Sequence, residues 1–166
     1  MPNYIVQAGF QANSITAGVM DATAVEELNV GTRVDRTAAT LPASTTGTIF
    51  TVTGSVLLVS IIGTVGTIIQ TQACNLSISL VDTLTSTTTA LCAVLNISAK
   101  AAGSLLTITG TLATAMQSGL ILPVQAAPVI LVPGNLIITT SATNTGTIGW
   151  SVWYVPLTAG ASMAAV

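Results

Sequence analysis

From Gly47 onward the sequence runs as short stretches rich in Val, Ile and Thr, each stopped by Gly, Pro, Asn or a Ser/Thr cluster. β-Branched side chains fit a pleated surface and lose rotamer freedom in a helix, so runs of this kind predict strands. The candidates are Thr48–Thr53, Val56–Ile62, Thr67–Gln72, Leu76–Val81, Ala90–Ile97, Leu105–Thr109, Val129–Val132, Leu136–Thr140 and Ile148–Val155. Alternation supports the reading. Leu76, Ile78 and Leu80 fall on one face of a strand, and Ser77, Ser79 and Val81 on the other. In the last run Trp150, Val152 and Tyr154 alternate with Ser151, Trp153 and Val155. Both faces of that run are apolar, which predicts a strand covered on both sides. Between the runs, Thr83–Thr89 reads as a loop, Ala113–Gln117 as one helical turn, and Pro133-Gly134 as the centre of a type II turn. Eight or nine short strands at this spacing make an all-β chain, a β-sandwich or barrel with a jelly-roll-like arrangement favoured.

The first 46 residues have a different texture. Of the eight charged residues in the chain, six lie between Asp21 and Arg36; only Asp82 and Lys100 follow. The division is therefore an extended N-terminal arm over residues 1–46 and a β-sandwich domain over residues 47–166. Within the arm, Thr23 and Glu26 have capping-box spacing, so Ala24–Asn29 is expected to form a short helix ended at Gly31. Two expectations attach to the arm: it packs on its own domain, or it reaches a neighbouring molecule.

The scarcity of charge limits what the chain can do. An ordinary soluble domain carries roughly a quarter charged residues, or about 40 in a chain of this length. This one has no histidine, so none of its many serines and threonines has an imidazole to activate it. A Ser–Lys pair would have to use Lys100, the only lysine. Glu26 and Glu27 are sequence neighbours that diverge on a helix, which suits solvated surface better than an acid/base pair. No catalytic constellation, cofactor motif or metal spacing is found, and the expectation is a non-enzyme. With a net charge of −2 and no basic patch, nucleic-acid binding is not expected. No run of about 20 predominantly apolar residues escapes interruption by Thr, Ser, Gly, Gln or Pro, so no membrane span is expected either. The N-terminus shows no basic stretch followed by an apolar one, so no secretory leader is expected. Cys74 and Cys92 are expected to be buried free thiols, with a strand-to-strand disulfide as the alternative.

A folded chain of 16.6 kDa exposes about 7,600 Å². Eight charges cannot cover that area, so Thr, Ser, Ala and Gly must, or other subunits must bury part of it. Candidate partner contacts are Glu26, Glu27, Arg33, Asp35 and Arg36; the bland alternative for the last three is a solvated network worth little. Trp150, Trp153 and Tyr154 could suggest a sugar platform, but in a C-terminal strand they read as core or subunit interface.

Several stretches carry a resemblance. They are Gly47-Thr48-Ile49-Phe50-Thr51-Val52-Thr53-Gly54 with the apolar run after it, then Ile69-Gln70-Thr71-Gln72-Ala73 leading to Asn75-Leu76, and Ile108-Thr109-Gly110-Thr111-Leu112. The most distinctive are Thr145-Gly146-Thr147-Ile148-Gly149-Trp150, Tyr154-Val155-Pro156-Leu157 and Gly160-Ala161. In order and texture, roughly from residue 45 to 161, the chain resembles the small head decoration, or cement, proteins of tailed bacteriophages. The likeness does not extend to residues 1–40 and carries no functional residues. It implies a structural virion protein on the outer capsid surface, bound to the major capsid protein. It also implies a homo-oligomer, generally a trimer and sometimes a dimer, that braces the shell against internal DNA pressure. A phage tail or fibre module recognising a host surface is the alternative for this Thr/Gly-rich texture.

Overall fold

The computed structural model describes residues 31–166. The expected helix at Ala24–Asn29, with Glu26 and Glu27, lies outside the described residues. Among those described there is no helix; the chain folds into twelve strands in two antiparallel sheets. One sheet contains β1 (Thr32–Thr40), β11 (Thr147–Pro156), β3 (Val56–Thr67), β7 (Leu105–Thr107) and β8 (Gln117–Gly119) in that order, and β9 (Val129–Leu131) also pairs with β3. This is the first sheet below. The second sheet runs β12 (Ser162–Ala165), β2 (Thr46–Thr53), β10 (Gly134–Thr140), β4 (Asn75–Asp82) and β5 (Thr88–Ala90), and β6 (Leu95–Asn96) also pairs with β4. The protein is an all-β sandwich.

The core follows from strand parity. Trp150, Val152 and Tyr154 of β11 and Leu58 and Ile61 of β3 point inward from the first sheet. They meet Phe50 of β2, Leu136 and Ile138 of β10, and Leu76, Ile78 and Leu80 of β4. Burying each such side chain favours folding by about 1.5–3 kcal/mol, which is how a chain so poor in ion pairs holds together. Two single-sided interfaces thus share one dry interior.

Several sequence expectations are corrected. Val56–Ile62 and Thr67–Gln72 were expected as two strands, but β3 continues through Gly63 and Gly66 to Thr67, and the residues after it are irregular. Gly63 does not break the strand. It clears space: a Cβ there would lie 2.7 Å from Cζ3 of Trp150, its cross-strand partner. Of the expected strand Ala90–Ile97 only Ala90 and Leu95–Asn96 are strand: β5 begins at Thr88, inside the expected loop Thr83–Thr89, and Leu91 and Cys92 are buried in succession, so alternation fails between β5 and β6. Ala113–Gln117 forms no helical turn. Ala115 bridges to Ala93, and Gln117 opens β8. Pro133-Gly134 is not a type II turn, since Gly134 does not have the positive φ such a turn needs. It begins β10, where a side chain would overlap the Val81 carbonyl oxygen of β4.

Three strands were not expected at all. β1 lies inside the segment taken for the arm, β8 is Gln-Ser-Gly, and β12 is Ser-Met-Ala-Ala; neither β8 nor β12 has a β-branched residue. β11 is covered on its inner face, and among the described residues no further sheet lies over its outer face, so the second cover expected for it lies outside the described residues.

Candidate functional site

Little of the described charge is free to act. Asp82 is spent on its own turn: its carboxylate accepts from the Leu84 N–H at 2.8 Å, the Thr85 N–H at 3.2 Å and the Thr85 hydroxyl at 2.7 Å. Those bonds, the Leu84 one foremost, hold its pKa below the usual value. Arg33 and Asp35 are two residues apart on one face of β1, and Arg33 Nε donates to Asp35 Oδ1 at 2.9 Å. Asp35 Oδ1 also accepts from the Ser151 hydroxyl at 2.6 Å, and that bond is the main cause of its lowered pKa, with Arg33 adding to it. The register between β1 and β11 sets this up by pairing Asp35 with Ser151 and Arg33 with Trp153. The Arg33 guanidinium lies 5.2 Å from the Trp153 ring centroid, a cation–π distance.

Arg36 does not join that group. It pairs with inward-facing Trp150, and its Nε donates instead to the Val166 carbonyl oxygen at 2.7 Å, bridging to the end of β12 in the other sheet. Glu26 and Glu27 lie outside the described residues. The three aromatics separate by parity. Trp150 and Tyr154 are core, whereas Trp153 is on the outer face, so they form no common platform. Among the described residues no group of three His, Cys, Asp or Glu side chains could hold a metal ion. Cys74 and Cys92 are both buried and unbonded. No helix among the described residues is long and apolar enough to cross a membrane.

The two outer faces of the sandwich differ in chemistry. On the second sheet the outward positions include Thr51, Asn135, Thr139, Ser77 and the buried Ser79, alongside Val81 and Ile137, with Thr51 Oγ1 donating to Asn135 Oδ1 at 3.4 Å. That face is uncharged and mixes hydroxyls with apolar side chains. On the first sheet Val155, Leu57 and Ile130 stand in one row across β11, β3 and β9. Ile62 follows two rows along, and Trp153 sits between with Arg33 over it. The segment Leu122-Pro123-Val124 folds onto the far end of this face, enclosing about 50 Å³ against Ile62, Leu105 and Thr107. Gln125 fastens that segment by donating to the Ala127 carbonyl at 2.8 Å. The segment's own tips stay out: Ile121 is 91% exposed and Val124 79%. Together with Ile130, at 66%, these are large apolar side chains left exposed to solvent among the described residues.

This surface was not read from the sequence. The only available signal was Val56-Leu57-Leu58-Val59, apolar at both parities, which implies an outer face that water alone does not suit. No family model, curated protein or solved structure matches this chain.

Proposed function

We propose that this chain is a structural virion protein, a decoration or cement protein that seats on the outer surface of a tailed-phage capsid and acts without catalysis. The observation that carries the reading is the contrast between the two outer faces. The apolar row Val155–Leu57–Ile130 calls for a covering protein, whereas the face opposite mixes hydroxyls with apolar side chains. The resemblance of residues 45–161 to phage head decoration proteins supports the major capsid protein as the covering partner.

The mechanism needs no reaction. A pressurised shell fails where neighbouring capsid subunits part. A protein that spans subunits binds the closed arrangement better than the parted one and shifts the balance towards closure. An oligomer, for which a trimer is the favoured form, multiplies modest contacts through high effective concentration. Because the contact surface is mainly apolar, attachment should resist salt better than a charge-steered complex does. Imaging of the assembled particle tests the assignment. Many copies distributed over the shell, with the first sheet facing inward, are expected. A few copies confined to the tail would overturn it in favour of a host-recognition module.

A further inference from the structure

Both sheets of the sandwich end in open edges, and all but one of the strands there are short. β5, β8 and β9 have three residues each, β6 two and β12 four, whereas β1 has nine. β1 pairs with β11 along one side, and no strand of the described residues pairs with its other side. An edge strand carries a row of unpaired backbone N–H and C=O groups, and long ones are commonly broken by Pro, guarded by Lys or covered. β1 contains neither Pro nor Lys. Its register with β11 is regular over Thr32–Arg36 and shifts only between Arg36 and Ala39, so those first residues form a straight template.

The side chains on that template name its occupant. Arg33 and Asp35 stand on one face of β1, and their side chains are 47% and 55% exposed. Two copies of Thr32–Arg36 laid antiparallel about a two-fold axis at Val34 put Arg33 of each opposite Asp35 of the other. The described hydrogen bonds of this pair use Arg33 Nε and Asp35 Oδ1, and none engages the terminal guanidinium nitrogens or Asp35 Oδ2. A cross-strand contact through those atoms is charge-assisted. On the other face Val34, which packs against the core, meets Val34 of the second copy. Moving the axis to Arg33 or to Asp35 sets like charges opposite each other, which disfavours pairing. Only the Val34 register places Arg33 against Asp35, and such self-complementarity is what a two-fold interface requires. We propose that β1 is a dimerisation edge, pairing with β1 of a second copy, antiparallel and centred on Val34, so that the first sheets of two copies become one continuous sheet. The contact closes at two copies, which commits the chain to the dimer, the less frequent of the forms its resemblance implies. The inference concerns the purified protein and holds whether or not the chain seats on a capsid.

Charge swaps on the full-length chain provide the test. Arg33→Asp leaves two acids on the edge, and Asp35→Arg leaves two bases. Each variant alone should self-associate about tenfold more weakly than wild type in sedimentation, because every cross-strand pair then joins like charges. An equimolar mixture of the two should associate at least as tightly as wild type, because every pair then joins opposite charges. Both variants lose the Arg33–Asp35 pair within the strand, so recovery on mixing has no intrachain explanation. Thermal melts show that each variant is folded. Cysteine trapping reads the register without altering charge pairing in this way, since opposite residues of an antiparallel pair lie within disulfide reach. Under mild oxidation, Arg33→Cys mixed with Asp35→Cys should crosslink about tenfold faster than either variant alone. A wild-type chain that stays monomeric at micromolar concentration overturns the proposal, as does a trimer indifferent to the swaps. A mixture no tighter than its components also overturns it, as does fastest crosslinking by Arg33→Cys alone. A monomer whose β1 amides resist hydrogen exchange along the outer edge would show the chain covering that edge itself, and this too would overturn it.

Discussion

The indole of Trp150 lies directly over Gly63, its cross-strand partner, at a distance that leaves no room for a β-carbon: the ideal Cβ would sit 2.7 Å from Cζ3 and 2.9 Å from Cη2. A glycine inside a twelve-residue strand therefore acts as a socket for the largest core side chain. Gly63→Ala should destabilise the domain by about 1–3 kcal/mol through overpacking. Trp150→Ala should cost about 3–5 kcal/mol by leaving a cavity. Denaturant titration of purified variants checks both, and a Gly63→Ala protein as stable as wild type would show that the Trp150 indole shifts freely off β3 here.

Trp150 Nε1 is buried and has no hydrogen-bond partner among the described residues. Trp150→Phe removes an unsatisfied donor along with one ring, so part of the lost packing is offset. It should cost well under half of what Trp150→Ala costs in the same titration.

The two thiols give a direct report on core integrity. Cys92 Sγ accepts from the Ile78 N–H at 3.4 Å, and burial pushes its pKa up. In native buffer a thiol reagent should label neither Cys74 nor Cys92, and in denaturant it should label both. Because the folded state raises the Cys92 pKa, its contribution to stability is complete below the ordinary thiol value of about 8.5 and is lost as pH rises beyond it.

The acid limb has the opposite sign. Asp35 and Asp82 both have lowered pKa values in the fold, so their contribution is present above the unfolded carboxylate value of about 3.9 and disappears as pH falls through the folded values. With no histidine in the chain, stability should be flat between about pH 5 and 8. Thermal melts across that range check this. The acid loss should be small, since both carboxylates are exposed to water.

The outer face of the first sheet separates folding from association. Ile130→Lys changes a side chain that is 66% exposed, and Leu57→Asp a half-buried one beside it, so Tm should change little for Ile130→Lys and more for Leu57→Asp, while attachment and self-association fall at least tenfold for both. Sedimentation and shell-binding assays on the same preparations separate the two effects. Unchanged binding by both variants would move the contact surface elsewhere.

How much of this was legible depended on whether a residue's role was local. The apolar–polar alternation of Leu76–Val81 is a local pattern, and β4 appears as Asn75–Asp82. β12 has no strand propensity of its own and forms because β2 offers an open edge at Phe50–Thr53. Thr67–Gln72 has the composition of a strand. Yet Ile69 N–H bonds the Lys100 carbonyl and Gln70 N–H bonds Asn144 Oδ1, so tertiary partners took its backbone out of any ladder. At the candidate site, the Arg33–Asp35 pair follows from spacing along β1. Its link to Trp153 and Ser151 depends on the register with β11, some 120 residues away in sequence, which no local pattern encodes. The apolar row on β11, β3 and β9 was hidden for a related reason: only the topology shows that no further sheet of the described residues lies over this face.

The central claim is that the protein holds a pressurised shell closed, and thermal release of packaged DNA tests it most directly. Particles stripped of the protein are compared with the same particles after purified protein is added back. Stripped particles should remain assembled but release DNA at a lower temperature, and re-decoration should restore the original release curve. Leu57→Asp protein should fail to restore it. Superimposable release curves for stripped and re-decorated particles, with the protein shown to be bound, would contradict the account.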